Sequence, residues 1–113
     1  MTGRSKLLTM PPYPVEQSLK RLGANLRTAR LRRNWTIEDV AQKIGTGMPV
    51  VADAEKGKPS TSIAVYAALL WALGLVGQLD DVAAPDTDIE GKGLARLRER
   101  TRARAELATD NDF

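Results

Sequence analysis

TIEDVAQKIGTGMPVVADAEKGKP, residues 36–59, holds two short apolar-striped segments parted by Gly45-Thr46-Gly47. Thr36 takes the N-cap position of the first segment. Asp39 follows three residues on, which approximates a capping box, although Glu or Gln is the usual partner there. Glu38 and Asp39 also suit the positive end of a helix. Ile37, Val40, Ala41 and Ile44 supply the apolar stripe, and Gly45 ends it. A second helix is expected over about residues 48–56, with Gly47 as N-cap and Pro49 in the first turn, where the early N–H groups lack helical partners anyway. Val51 and Ala54 are expected to face inward, and Gly57 to terminate the helix.

Upstream, Leu19, Leu22, Leu26 and Ala29 recur at three- and four-residue intervals and predict a helix over residues 17–33. Lys20, Arg27 and Arg32 fall mainly on its exposed side, and Asn34 is a plausible stop because Asn tolerates the left-handed conformation. Residues 1–15 read as a flexible arm whose Pro11, Pro12 and Pro14 oppose a regular helix. Downstream, Thr61 or Ser62 caps a further helix carrying Ile63, Tyr66, Ala67, Leu70, Trp71 and Leu73 as far as Gly74. Its surface is apolar nearly all round, which predicts burial on two sides. Tyr66, Leu70, Trp71 and Leu73 are therefore expected to meet a second copy of the chain as well as the core. A shorter helix over residues 77–84 completes a domain of residues 16–84, followed by an Asp- and Gly-rich linker at 85–93. Residues 94–113 form a basic extension, read as helix on propensity, with an acidic tail from Asp110 expected to fray.

Composition narrows the chemistry. The 113 residues contain no cysteine and no histidine, which removes disulfides, thiolate metal sites, the commonest general base and every Ser-His or Cys-His nucleophile. That points away from an enzyme, and no metal or cofactor site is expected. A chain of this length buries a modest core, which a dimer interface would supplement. The net charge of +3 suits a polyanionic partner but is equally at home on an ordinary solvated domain. No apolar run approaches the ~18 residues needed to span a bilayer, and the prolines at 11, 12 and 14 stand where a signal peptide needs an apolar stretch. Cytoplasmic residence is the expectation.

Two helices joined by a tight glycine-containing turn can hold the second helix in the major groove of DNA. The spacing fits that frame: Ala41 is small enough for close approach, Gly45 makes the turn four residues later, and Val51 anchors the second helix from within. On these residues, positions 22–75 resemble the Xre/Cro family of helix-turn-helix proteins. LGANLRTARLRRNWTIEDVAQKIG and EKGKPSTSIAVYAALLWALGL are similar, more narrowly, to HipB-like antitoxins of HipBA toxin–antitoxin operons. The resemblance implies an all-α, five-helix phage-repressor-like domain that forms a homodimer and binds double-stranded operator DNA. It further implies autorepression and a HipA-like kinase toxin as partner.

The resemblance also assigns residues. Arg30 and Glu55 match a recurring ion pair between the first and recognition helices. Thr36 matches the residue opening the second helix, whose N–H groups face a phosphate. Lys43, Lys56 and Lys58 are candidate phosphate contacts. Thr46, Gly47, Met48, Pro49, Val50 and Asp53 occupy the base-reading positions, where the family commonly carries Ser, Gln, Lys, Arg, Thr or Asn. No bidentate Arg–guanine or Gln–adenine contact is available from this set. Met48, Pro49 and Val50 could touch thymine methyls, and Asp53 could accept from a cytosine amine. Direct readout is therefore expected to be weak, with binding resting on phosphates, DNA shape, the arm and the arginine-rich extension.

Arg96, Arg98, Arg100, Arg102 and Arg104 admit three readings: a solvated helix face, a nucleic-acid-binding extension, or a docking segment for an acidic protein partner. The antitoxin resemblance raises the last. Trp35 is expected to plug the core and Trp71 to fill the dimer seam. The alternative to an operator-binding autorepressor is a protein-interaction module that has lost sequence-specific DNA binding.

Overall fold

The computed structural model describes residues 5–110, and every regular element among them is helical. The elements are α1 (Lys6–Thr9), α2 (Tyr13–Arg32), α3 (Ile37–Ile44), α4 (Met48–Glu55), α5 (Ile63–Ala72) and α6 (Ile89–Asp110), with 3-10 helices at Val76–Asp81 and Pro85–Thr87. The chain divides into two compact units, Met1–Leu79 and Asp80–Phe113.

Local chemistry sets the helix ends of the first unit. The full capping box opens α3: the Asp39 N–H donates to Thr36 Oγ1 at 3.0 Å and the Thr36 N–H to Asp39 Oδ2 at 2.8 Å. The donation from the Thr36 backbone N–H, and after it hydrogen bonding with the Thr36 hydroxyl, hold the Asp39 carboxyl below the usual aspartate value. Asn34 ends the chain leaving α2 with φ of 57°, and Gly45 ends α3 with φ of 76°. Of the two candidates for the α5 cap, Ser62 takes the role, its hydroxyl accepting from the Val65 N–H at 3.3 Å.

Leu26 of α2, Val40 and Ala41 of α3, Val51 and Ala54 of α4, and Tyr66, Leu69, Leu70 and Leu73 form the core. α4 lies at its centre, packed on α2, α3 and α5. The α2 contact is backbone-close. A methyl at Gly23 would stand 2.5 Å from the Glu55 carbonyl oxygen, and one at Gly57 would strike the Leu19 carbonyl, at a position whose φ of 71° already favours glycine. Nothing larger than hydrogen fits between α2 and the end of α4.

Three expectations need correction. Residues 6–9 are helical, and α2 begins at Tyr13 with Pro14 in its first turn, so proline here starts a helix instead of preventing one. The segment after α5 is a 3-10 helix ending at Asp81, in place of a helix reaching residue 84. Within the second unit, α6 begins at Ile89, inside the expected linker, because the Asp88 carboxylate takes the Gly91 N–H at 3.0 Å and starts the helix. The first four residues of the expected arm and residues 111–113 of the acidic tail lie outside the described residues.

Candidate nucleic-acid interface

The frame is locked from within by Arg30. Its Nε donates to Glu55 Oε2 at 2.7 Å, its Nη2 to Glu55 Oε1 at 2.9 Å, and its Nη1 to the Trp35 carbonyl at 2.8 Å. Arg30 is buried, and the Glu55 hydrogen bonds raise its pKa further above the ordinary guanidinium value. A planar fork held on both oxygens of one carboxylate fixes orientation as well as distance. The last turn of α4 is thereby tied to the last turns of α2 and to the loop entering α3. The pair that the resemblance implied is present as a bidentate bridge.

On that support, α4 turns Val51 and Ala54 fully inward. Gly47, Met48 and Pro49 are exposed at its start, while Thr46, Val50 and Asp53 are half-buried. Thr36 is exposed at the head of α3. Lys56 and Lys58 are exposed just beyond α4. Lys58 Nζ lies 3.0 Å from Asp53 Oδ1, so the carboxylate expected to face a polyanion carries its own counter-ion. The Tyr66 hydroxyl donates to the Lys58 carbonyl at 3.4 Å, and burial pushes that phenol's pKa up.

Lys43 does not join this group. Its Nζ donates to the Ala72 carbonyl at 3.3 Å and stands 4.7 Å from the centre of the Trp35 ring. Arg33 does the same work beside it, donating to the Leu73 carbonyl at 3.0 Å. The cause is the carbonyl-rich end of α5, which attracts both cations. Trp35 is accordingly half-buried at the core edge, beneath a lysine.

Two cations expected only on an exposed face, Lys20 and Arg27, stand beside the candidate phosphate lysines. Arg27 and Lys56 border one surface depression with Ile37 and Ala52, and Lys20 borders another with Lys56 and Lys58. Their seven-residue spacing on α2 was the available signal, since two turns bring residues 20 and 27 to one side. Lys20 also bridges Glu16 at 3.0 Å.

The expected dimer surface is corrected more sharply. Tyr66, Leu70 and Leu73 are 3%, 7% and 5% exposed, spent entirely on their own chain's core. Trp71, at 58%, is the one of the four left to meet a neighbour, with Ile63 exposed two turns before it on the same face. An all-apolar α5 does have two sides, but the first takes most of the large residues. In the second unit, Arg96, Arg98, Arg100, Arg102 and Arg104 are all exposed on α6, as are Leu94 and Leu97.

Among the described residues no helix is long and apolar enough to cross a membrane. No group of His, Cys, Asp and Glu suited to a metal ion occurs among them either. No curated protein and no solved structure matches the chain. Residues 21–83, more than half of its length, match the family model described as a helix-turn-helix domain. Its capped α3, glycine turn and centrally packed α4 are the parts such a domain requires, and the chain belongs to the helix-turn-helix domain family, of the Xre/Cro type.

Proposed function

We propose that the protein is a non-enzymatic, DNA-binding transcriptional autorepressor that works as a homodimer and serves as the antitoxin of a HipBA-like operon. The observation that carries the DNA-binding part is the rigid presentation of α4. The Arg30–Glu55 bridge and the Gly23 contact fix it from behind, and its first turn stays open to solvent with Lys56, Lys58, Lys20 and Arg27 at its far end. Two such helices related by a two-fold axis through Ile63 and Trp71 would read half-sites about 34 Å apart. Support for the antitoxin role is the resemblance of the α2–α5 segment to HipB-like proteins, together with an exposed arginine helix, α6, suited to an acidic face of a kinase toxin.

A second reading is favoured by one observation. No side chain of α4 carries a hydrogen-bond donor, which fits a protein-interaction module that has given up sequence-specific binding. Titration of the protein onto the DNA upstream of its own gene, at two salt concentrations, separates the two. A specific complex whose affinity falls steeply with salt supports the repressor. Binding no tighter than to an unrelated duplex refutes it in favour of the module. Co-purification with the product of an adjoining kinase-like gene tests the antitoxin role separately.

A further inference from the structure

The major groove offers ring-nitrogen and carbonyl acceptors, exocyclic amine donors, and the C5-methyl of thymine. α4 can answer few of these. Its sequence, MPVVADAE, contains no N–H or O–H side-chain donor, so none of its side chains can answer an acceptor on a base edge, and only the backbone N–H groups of its first turn could do so. Of its two carboxylates, Glu55 is held on both oxygens by Arg30, and Asp53 carries Lys58 as a counter-ion on Oδ1. What remains outward is apolar: Met48, 49% exposed, then Pro49, with Val50 half-buried beside them. The exposed Lys56 and Lys58 stand beyond the opposite end of α4, about 12 Å along its axis at 1.5 Å per residue, so a polyanion held by them could extend along α4 to the apolar head.

We infer that α4 recognises the C5-methyl of a pyrimidine in the major groove, thymine or 5-methylcytosine, through Met48 and Pro49. The inference rests on the DNA-binding reading above and deepens it by naming the group that is read. A methyl is the one base-edge feature whose recognition needs no donor or acceptor. Its burial against a thioether and a proline ring is an apolar transfer, worth about fourfold in affinity for each methyl covered. Met48 suits the task because an unbranched thioether adapts to the place of a methyl instead of demanding one geometry.

The test uses the full-length protein and duplexes enriched from a random-sequence pool by binding to it. The winning duplex is remade with deoxyuridine for thymine, which keeps every hydrogen-bonding group and deletes only the methyl. It is also remade with cytosine, then 5-methylcytosine, at the sensitive positions. Affinities are read by fluorescence anisotropy. Expected are a loss of about fourfold per methyl with deoxyuridine and a recovery of similar size on methylating cytosine. Recovery by 5-methylcytosine identifies the methyl itself as the ligand, while a loss with deoxyuridine and no recovery restricts the site to thymine. In a Met48→Ala, Pro49→Ala variant, whose folding is verified by circular dichroism, the deoxyuridine penalty should shrink toward nothing. An enriched duplex bound equally with deoxyuridine overturns this inference alone, as does a penalty unchanged in the variant. A pool that yields no preferred duplex overturns it together with the DNA-binding reading.

Discussion

Replacing Glu55 by Ala should cost this small domain much of its stability. Arg30 makes three hydrogen bonds, two of them to Glu55 at 2.7 and 2.9 Å, and its guanidinium is buried. Glu55→Ala leaves that cation with only the Trp35 carbonyl. Breaking a buried pair from one side typically costs about 3–5 kcal/mol, because the stranded charge remains desolvated. A folded unit of the length of Met1–Leu79 carries roughly 4–12 kcal/mol in all, at about 0.05–0.15 kcal/mol per residue. The single change therefore removes between a quarter of the stability and all of it. Urea unfolding followed by far-ultraviolet circular dichroism measures the loss as a lower midpoint at unchanged slope. Arg30→Met should cost a similar amount, and the Arg30→Met, Glu55→Ala double variant distinctly less than the two losses summed. A loss below about 1 kcal/mol for Glu55→Ala, or additive single losses, would refute the view that this bridge holds the frame.

Gly23→Ala should destabilise by about 1–3 kcal/mol despite alanine's better helix propensity, because the added methyl meets the Glu55 carbonyl at 2.5 Å; thermal unfolding checks this. Lys56→Ala should reduce the salt slope of DNA binding by about one, whereas Lys43→Ala should leave it unchanged, since the Lys43 ammonium is engaged at the end of α5. Trp71→Glu should dissociate any dimer in sedimentation equilibrium while preserving helix content, because the ring is exposed on its own chain. The Asp39 carboxyl should titrate below the ordinary aspartate value by NMR. Being depressed in the folded state, it contributes stability present above that ordinary value and lost as pH falls through its folded pKa, below about pH 4.

The frame was legible because its signals are local. Thr36, Asp39, Gly45 and Ser62 act on neighbours within four residues, and the structure returns each in its expected place. Asp88 was legible by the same rule but lay hidden in a stretch whose composition reads as linker. What sequence could not deliver was how shared surfaces are divided. Nothing in IAVYAALLWAL says that Tyr66, Leu70 and Leu73 go to the core while Ile63 and Trp71 stay outside. Lys43 reads in sequence as a phosphate contact like Lys56 and Lys58, and only the fold brings Ala72, 29 residues away, to its ammonium. Gly23 left one trace, a glycine in mid-helix where alanine would be about 1 kcal/mol better, which implies a packing reason.

The Gly23 contact also bears on how this protein could change. Because α4 is held by its backbone contact with Gly23 and by the inward Val51, Ala54 and Glu55 side chains, the outward residues bear little of the fold's weight. Met48 and Pro49 are exposed, and the partly exposed Asp53–Lys58 bridge contributes at most about 1 kcal/mol. The surface that contacts a target can therefore be rewritten at positions 48, 49 and 53 with scarcely any effect on folding. A polar set grafted there would retarget the domain, and a lineage could drift from one recognition chemistry to another through intermediates that all remain folded.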